Sequence, residues 1–539
     1  MPEASLRAAD ILARRLYEAG CRHAFGMPGG EVLTLVDALE KAGIRFTLTR
    51  HENAAGFIAE GVHHRDGAPA ILVATLGPGA LNAVNVVANA HQDRVPVVLL
   101  TGCVDADEAL SYTHQVLDHQ AVFRPVTKAS FRLTAGGADL IADRAVSEAL
   151  APRPGPVHID VPIGVADARV ATARPRRRVA ASPAAPQGAD LARAKGWLAG
   201  ATRPLAIVGL DMLSGDSGCV LRAFLEHFAI PFITTYKAKG VIAEDHPLCL
   251  GGAGLSPLAD GHLLPLVQQA DLILCIGYDP IEMRPGWREA WDPARQKVID
   301  IAPVQNDHYM HQAGLSFVAD PGATLEALAQ GAAARATWPE GEPRATRAAL
   351  DQAFPQGDDW GPAAVIAEAR AVLPAETLAT ADSGAHRILL SQMWTCREPR
   401  ALVQSSGLCT MGCAVPLAIG LKFAAPDRPV VSFSGDAGFL MVAGELATAA
   451  ELGTPVIFVV FVDASLALIE KKQRERQLPN AGVDFAGSDF AAIGRAFGGA
   501  GDTVRNRAEL RAALGAALSR DSFTVIAAEI GRGGYDGRI

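Results

Sequence analysis

Residues 429–463 read PVVSFSGDAGFLMVAGELATAAELGTPVIFVVFVD, in which two apolar runs of strand length flank a small-residue turn and a helix-like segment. Strands that alternate with helices in this way are typical of parallel α/β sheets. The first strand is expected over 429–434 and the second over 455–462. Between them, a helix is expected to open with GELATAAELG. The segment therefore predicts two consecutive strands of one parallel sheet.

The turn after the first of these strands carries the residues expected to bind a ligand. Backbone N–H groups at a helix N-terminus suit a diphosphate, and Mg²⁺ prefers few carboxylates together with phosphate oxygens. Neighbouring parallel strands end at the same edge, so Asp436 and Asp463 should meet there and need a cation. The sequence alone is also compatible with another interpretation, in which each aspartate is a solvated helix cap. The turn consists of Gly435, Asp436, Ala437 and Gly438.

The same alternation runs through the chain, and 539 residues exceed what one hydrophobic core accommodates. We predict an α/β protein of three consecutive doubly wound parallel-sheet domains. Polar, proline-bearing stretches at 173–190 and 338–360 are read as linkers. The predicted domains are 1–172, 190–332 and 355–539.

Composition excludes several classes of protein. The net charge of −9 argues against a nucleic-acid partner, which would need a basic face. No apolar run is long enough to span a membrane, and the eight cysteines form no CxxC pair. The N-terminus is typical of an amphipathic helix rather than a signal peptide. We therefore expect a cytoplasmic protein with no membrane or nucleic-acid partner.

The segment GDAG…VD resembles the signature of thiamine-diphosphate-dependent enzymes, GDG followed about thirty residues later by NN. The aspartate in place of the second asparagine resembles the catabolic acetolactate synthases. The resemblance implies thiamine diphosphate as cofactor and Mg²⁺ bound by Asp436, Asp463 and the carbonyl of Ser465. It also implies a cofactor contact at Leu466.

The segment TRHENAAGFIAEG, residues 49–61, resembles a motif of the acetolactate synthase branch. The resemblance implies that Glu52 hydrogen-bonds the aminopyrimidine ring of the cofactor and activates it. Without the resemblance, Glu52 reads as an ordinary exposed glutamate at a helix start. The stretch HQVLD resembles the segment in which a glutamine, Gln115 here, faces the reacting carbons.

Three further glycine-containing turns resemble family motifs that surround the cofactor. They are GMPGG with Gly29, LGPG with Gly77 and Gly79, and GLCTMG with Gly407 and Met411. The methionine of the last motif wedges between the two cofactor rings in the family; otherwise Met411 reads as a core residue. The middle domain lacks GxGxxG, since GAGLSP at 252–257 has no final glycine, so FAD is not expected.

The resemblance implies decarboxylation of a 2-oxo acid with ligation to a second carbonyl compound, as in acetolactate synthases. It also implies a homodimer or homotetramer, with Glu52 and Asp436 of one site in different chains. The alternatives are a simple decarboxylase for a larger or charged 2-oxo acid, a non-catalytic regulatory relative, and a nucleotide-binding dehydrogenase. The stretch ASLALIEKKQ after Asp463 departs from the NGYxM of the synthases. Its Lys471 and Lys472 either meet an acidic substrate or form a solvated face.

Overall fold

Three six-stranded parallel sheets follow one another along the chain. The computed structural model describes residues 5–170, 177–179, 181–182, 184–213 and 217–539. The sheets confirm the predicted fold class of three consecutive α/β domains. The boundaries 1–172, 190–332 and 355–539 stay predictions, and part of the first predicted linker lies outside the described residues.

The N-terminal sheet has the strand order β3-β2-β4-β5-β7-β6, and two short strands, β1 and β8, pair antiparallel beside it. Its central strands are apolar and buried on both faces, as parallel sheets covered by helices require. The strands are β1 Leu6–Arg7, β2 His23–Met27, β3 Arg45–Leu48, β4 Ala70–Ala74, β5 Val97–Cys103, β6 Ala129–Arg132, β7 Val157–Pro162 and β8 Arg169–Val170. The helices are α1 Ala8–Glu18, α2 Leu33–Ala42, α3 Glu52–Asp66, α4 Pro78–Asn82, α5 Val84–Asp93, α6 His119–Phe123, α7 Ala138–Leu150 and α8 Ile163–Asp167.

The middle sheet has the order β11-β10-β9-β12-β13-β14, which is the arrangement of dinucleotide-binding folds. Its strands are β9 Pro204–Val208, β10 Phe232–Thr235, β11 Cys249–Ala253, β12 Leu272–Ile276, β13 Lys297–Ala302 and β14 Leu315–Val318. Its helices are α9 Ala189–Gly200, α10 Gly218–His227, α11 Pro257–Gln269 and α12 Pro321–Ala329.

The polar, proline-bearing stretch 338–360 is helical over about half its length. It contains a helix, α13 Glu342–Ala353, which packs against α11 of the middle domain. Trp338, Leu350 and Phe354 are buried in the same hydrophobic cluster, and the Trp338 indole N–H donates to the carbonyl of Pro204 at 2.7 Å. Many charged residues and three prolines in this stretch concealed the few apolar residues that anchor it.

The C-terminal sheet has the order β16-β15-β17-β18-β20-β19, so it repeats the strand arrangement of the N-terminal sheet without a visible sequence repeat. Its strands are β15 Leu378–Ala381, β16 Leu402–Gln404, β17 Val430–Gly435, β18 Ile457–Val462, β19 Ala500–Val504 and β20 Thr524–Glu529. Its helices are α14 Pro362–Val372, α15 Ala385–Met393, α16 Ala414–Ala424, α17 Asp436–Val442, α18 Leu446–Leu452, α19 Ala467–Glu475, α20 Phe490–Ala496 and α21 Arg507–Ala517.

The helix after β17 begins earlier than predicted. Helix α17 starts at Asp436, directly after the strand, and the predicted GELATAAELG helix is the separate α18 beyond a short 3₁₀ turn at Ala443–Glu445. Because α17 has only seven residues, its apolar pattern is too short to be recognised as a helix. The early start places the first backbone N–H groups of α17 at the edge of the sheet.

Close helix packing joins the N-terminal and C-terminal domains within the chain. A Cβ on Gly61 of α3 would lie 2.4 Å from the carbonyl oxygen of Leu417, and one on Gly420 of α16 would lie 2.1 Å from that of Ile58. Only glycine allows α3 and α16 to approach so closely. This contact fixes the helix that begins with Glu52 relative to the C-terminal sheet.

The N-terminal helix α1 is amphipathic as predicted, and its apolar side packs against α2 and α7. Among the helices of the described ranges, none is long and apolar enough to cross a lipid bilayer.

Candidate active site

Asp436 and Asp463 meet at the carboxyl edge of the C-terminal sheet, because β17 and β18 are adjacent parallel strands. Oδ2 of Asp436 accepts hydrogen bonds from the backbone N–H groups of Asp463 at 3.2 Å and Ala464 at 2.8 Å. Asp436 is only 2% exposed. The expectation that the two residues meet is thus confirmed, and the buried Asp436 is not a solvated helix cap.

Burial destabilises the charged form of both carboxylates, and the charge of Asp436 adds to this at Asp463. Burial raises the pKa of Asp436. The pKa of Asp463 rises to about 7, first because of burial and second because of the negative charge of Asp436. A bound cation would relieve both effects, since an opposite charge favours ionised carboxylates. The buried Asp436 and the half-buried Asp463 in this arrangement fit Mg²⁺.

The protein alone does not complete a metal site. Within the described ranges, no three His, Cys, Asp or Glu side chains are arranged to hold a metal ion. Backbone oxygens and the oxygens of a ligand would have to supply the remaining positions. A ligand with phosphate groups meets this requirement, and Mg²⁺ is usually bound by one or two carboxylates plus substrate phosphates.

Gly438 allows the start of α17 to lie close to the end of the neighbouring strand β15. A Cβ at this position would lie 1.9 Å from Oδ2 of Asp382, which follows β15. The fully buried Asp382 accepts hydrogen bonds from the backbone N–H groups of Gly412 at 3.0 Å and Cys413 at 3.1 Å. Asp382 therefore connects α17 to the loop that carries Met411.

A cavity of about 850 Å³ opens beside this edge. Every residue that lines it within the described chain lies between Leu255 and Ile539, so the middle and C-terminal domains form it. It contains the predicted residues Gly435, Asp436, Ala437, Gly438, Asp463, Ser465, Leu466 and Met411. The structure therefore brings these eight residues together.

Two polar residues of the cavity were missed by the sequence analysis. Nε2 of His386 and Oγ of Ser383 are buried and have no hydrogen-bond partner in the described part of the chain. Burial lowers the pKa of His386 to about 3, so its imidazole is neutral. Unpaired buried polar atoms are costly, so a polar ligand is expected to satisfy them. Their position after β15 was the available signal, since ligands bind outside the carboxyl ends of strands.

The loop 405–412 is fixed to the N-terminal domain by hydrogen bonds. The N–H of Gly407 donates to Asp93 at 2.8 Å, and the hydroxyl of Ser405 donates to Asn89 at 2.5 Å. A Cβ on Gly407 would lie 2.6 Å from that of Gln92. Gly407 thus supports the loop from behind, outside the cavity lining, whereas Met411 faces the cavity.

Glu52 lies at the carboxyl edge of the N-terminal sheet, where it begins α3. It is 4% exposed, and its Oε2 accepts a hydrogen bond from the side chain of Asn82 at 3.0 Å. A Cβ on Gly79 would lie 3.1 Å from Oε1 of Glu52, and one on Gly29 would lie 2.3 Å from the hydroxyl of Thr75. Burial rules out the reading of Glu52 as an exposed helix-start residue.

Gly77 and Gln115 form the neighbouring part of this edge. Gly77 has φ +62°, and a Cβ there would lie 3.0 Å from the carbonyl oxygen of Gln115. The N–H of Gly77 donates to Nε2 of the buried His119 at 3.0 Å. Gln115 is exposed and lines a second cavity of about 360 Å³ together with Leu76 and Tyr112.

The predicted site residues therefore form two groups in one chain. The N-terminal group, with Glu52 and Gln115, surrounds the edge of the first sheet. The C-terminal group, with Asp436 and Asp463, lines the larger cavity. The described chain does not bring the two groups into one cavity.

Helix α19 borders the larger cavity. Lys471 and Lys472 both line it, together with Ile469 and Glu475. Lys471 forms an ion pair with Glu475. The sequence left open whether these lysines meet an acidic substrate or form a solvated face. Their position in the cavity lining agrees with the first interpretation.

Comparison with known proteins gives the family. Residues 6–122, 191–328 and 382–528 match the N-terminal TPP binding, central and C-terminal TPP binding domains of thiamine pyrophosphate enzymes, in that order. Thiamine pyrophosphate, or TPP, is another name for thiamine diphosphate.

Three relatives match nearly the whole chain. The chain is 31% identical to acetolactate synthase of Bacillus subtilis, over 96% of this chain and 92% of the relative. It is 32% identical to the probable 2-ketoarginine decarboxylase AruI of Pseudomonas aeruginosa, over 97% and 94%. It is 29% identical to the catabolic acetolactate synthase of Raoultella terrigena, over 96% and 94%. The chain belongs to the thiamine-diphosphate-dependent enzymes of the acetolactate synthase-like family.

Proposed function

We propose that this enzyme decarboxylates a 2-oxo acid and joins the remaining fragment to a second carbonyl compound, with thiamine diphosphate and Mg²⁺ as cofactors. The observation that carries the proposal is the meeting of the buried Asp436 with the half-buried Asp463 at the carboxyl edge of the C-terminal sheet. Two adjacent carboxylates beside the N-terminus of a helix suit a cation and a diphosphate together.

The C-terminal group of residues would hold the charged end of the cofactor. Asp436, Asp463 and the carbonyl oxygen of Ser465 would bind Mg²⁺. The backbone N–H groups at the start of α17 would bind the diphosphate, and the unpaired Ser383 and His386 would add polar contacts. The small side chains of this turn would let the diphosphate approach the backbone closely. The turn consists of Gly435, Asp436, Ala437 and Gly438.

The N-terminal group of residues would contact the ring end of the cofactor. When bound, thiamine diphosphate supplies a carbon nucleophile and then an electron sink for cleavage of the carbon–carbon bond. Glu52 would hydrogen-bond the aminopyrimidine ring and hold a proton there, and Asn82 fixes its carboxyl group. Met411, held on the loop 405–412, would fill the space between the two rings.

The two groups of residues would meet across a subunit interface. Because Glu52 and Asp436 do not share a cavity within the described chain, we propose that a second copy contributes the missing group. A homodimer is then the smallest active unit, and a homotetramer is a dimer of such dimers. The exposed Leu440 and Met441 on α17, next to Asp436, are suitable contacts for a partner chain.

In the proposed reaction, the bond between C1 and C2 of the 2-oxo acid breaks and the carboxylate leaves as carbon dioxide. C2 then forms a bond to the carbonyl carbon of the acceptor, whose oxygen gains a proton. Gln115 would lie near the reacting carbons. If a proton takes the place of the acceptor, the product is an aldehyde and the enzyme is a simple decarboxylase. The name of the Pseudomonas relative supports this second candidate.

We also propose that the enzyme needs no flavin. Of the glycines at 252–257, Gly252 lies within β11 and Gly254 follows it, and β11 is an edge strand of the middle sheet. A dinucleotide-binding loop would follow the first, central strand, here β9. Retention of Glu52 and both metal-site carboxylates favours an enzyme over a regulatory relative.

The test is turnover of pyruvate and 2-oxoglutarate by purified protein with thiamine diphosphate and Mg²⁺, with the product identified by NMR. A product with a new carbon–carbon bond is expected, which is acetolactate in the case of pyruvate, whereas the corresponding aldehyde would favour the simple decarboxylase. A protein that binds neither cofactor and consumes no 2-oxo acid would refute the proposal.

A further inference from the structure

Helix α19 presents cationic side chains to the cavity of the carboxylate pair. Lys471 and Lys472 line this cavity from α19, and Arg284 lines it from the middle domain. Lys471 is neutralised by its ion pair with Glu475. Among the described residues, no ion pair involves Lys472 or Arg284, and the guanidinium of Arg284 donates to the carbonyl of Leu255 at 3.3 Å. Lys472 is thus without an ion-pairing partner, whereas Arg284 has Asp260 as an acidic neighbour.

The remaining charged groups nearby do not cancel these two charges. Asp436 and Asp463 would be neutralised by Mg²⁺. Arg387 also lines the cavity, but it is buried and donates to the carbonyl of Ser405 and the sulfur of Cys409. The carboxyl group of Asp260 accepts a hydrogen bond from the N–H of Gly254. Burial raises its pKa and the charge of Arg284 lowers it, so Asp260 offsets the charge of Arg284 in part.

Lys472 is placed too far along α19 to serve the diphosphate. It follows Leu466, the residue beside the carboxylate pair, by six positions, which is about 9 Å along a helix axis. The diphosphate would occupy the opposite end, at the start of α17. With the diphosphate there, the exposed Lys472 would border the part of the cavity left for the substrate.

We infer that the substrate of this enzyme is a 2-oxo acid that carries a second anionic group, bound by Lys472 and Arg284. The inference rests on the proposed function, because it assigns the substrate of the same site. A carboxylate, sulfonate or phosphonate at the far end of the substrate would meet both cations, and charge-assisted hydrogen bonds are the stronger ones. A cationic side chain, as in 2-ketoarginine, would be repelled.

The experiment compares three 2-oxo acids on the holoenzyme that differ in side-chain charge: 2-oxoglutarate with an anionic end, 2-oxohexanoate with an uncharged one and 2-ketoarginine with a cationic one. We expect the largest kcat/KM for 2-oxoglutarate. In the Lys472→Gln variant, the ratio of kcat/KM for 2-oxoglutarate to that for 2-oxohexanoate should fall about five-fold, mainly through KM. Arg476→Gln is the matched control, since Arg476 ends the same helix outside the cavity lining and should leave the ratio unchanged.

Cofactor binding is measured on the same preparations by titration with thiamine diphosphate and Mg²⁺. If the cofactor binds and either uncharged or cationic substrates are preferred, the inference is wrong while the proposed function stands. The inference is also overturned if Lys472→Gln leaves the ratio unchanged. If the cofactor does not bind, the proposed function fails and the inference fails with it.

Discussion

Replacing Gly438 by alanine tests how closely α17 must approach the end of β15. The new Cβ would lie 1.9 Å from Oδ2 of Asp382, about 1 Å inside the closest contact that side chains make. Asp382 must then move and give up its hydrogen bonds from the N–H groups of Gly412 and Cys413. Hydrogen bonds to a charged group contribute about 1.5–3 kcal/mol each. Alanine is otherwise better than glycine in a helix by about 1 kcal/mol.

The expected net loss for Gly438→Ala is therefore about 2–5 kcal/mol in the free energy of unfolding. Thermal denaturation should show a melting temperature lower by about 10 °C, and the affinity for thiamine diphosphate should fall with it. Gly444→Ala is the matched control, because its Cβ would meet nothing closer than the Cβ of Arg50 at 3.9 Å. A Gly438→Ala variant as stable as the wild type, with unchanged affinity, would refute the reasoning.

Two further predictions concern buried carboxyl groups. Glu52→Gln should fold and bind cofactor, because an amide oxygen still accepts the hydrogen bond from Asn82. Its kcat should fall at least about 100-fold, since the amide cannot hold the proton. Steady-state kinetics that show full activity would contradict the assigned role. Burial raises the pKa of Glu60 to about 7 from an ordinary value of 4.5, so the folded state binds its proton more tightly than the unfolded state. Stability should therefore fall by on the order of 3 kcal/mol as the pH rises from 4.5 to 7. Glu60→Gln should remove this contribution. Denaturant titrations at several pH values measure it, and a free energy of unfolding that changes equally with pH in both proteins would disprove it.

The positions of the strands could be predicted from the sequence because buried parallel strands are short apolar runs. The strand expected at 455–462 is Ile457–Val462, and the one expected at 429–434 is Val430–Gly435. Such runs bury both faces, so hydrophobicity alone locates them. The meeting of Asp436 with Asp463 followed from the rule that neighbouring parallel strands end at one edge.

Features that depend on contacts between distant segments could not be predicted. The early start of α17 depends on the space that Gly438 leaves for Asp382, which lies 56 positions earlier in the chain. His386 carries no local signal, because its role depends on burial against Phe461, with which its ring stacks. The common strand order of the first and third sheets was likewise invisible, since pairing order is not encoded in local hydrophobicity.

The central claim is that the carboxylate pair holds Mg²⁺ and, through it, thiamine diphosphate. The most direct measurement is calorimetric titration of the purified protein with thiamine diphosphate, with and without Mg²⁺, for the wild type and Asp463→Ala. We predict one cofactor bound per chain only when Mg²⁺ is present, and at least about ten-fold weaker binding in the variant. Binding that is independent of Mg²⁺ and unaffected by Asp463→Ala would contradict the claim.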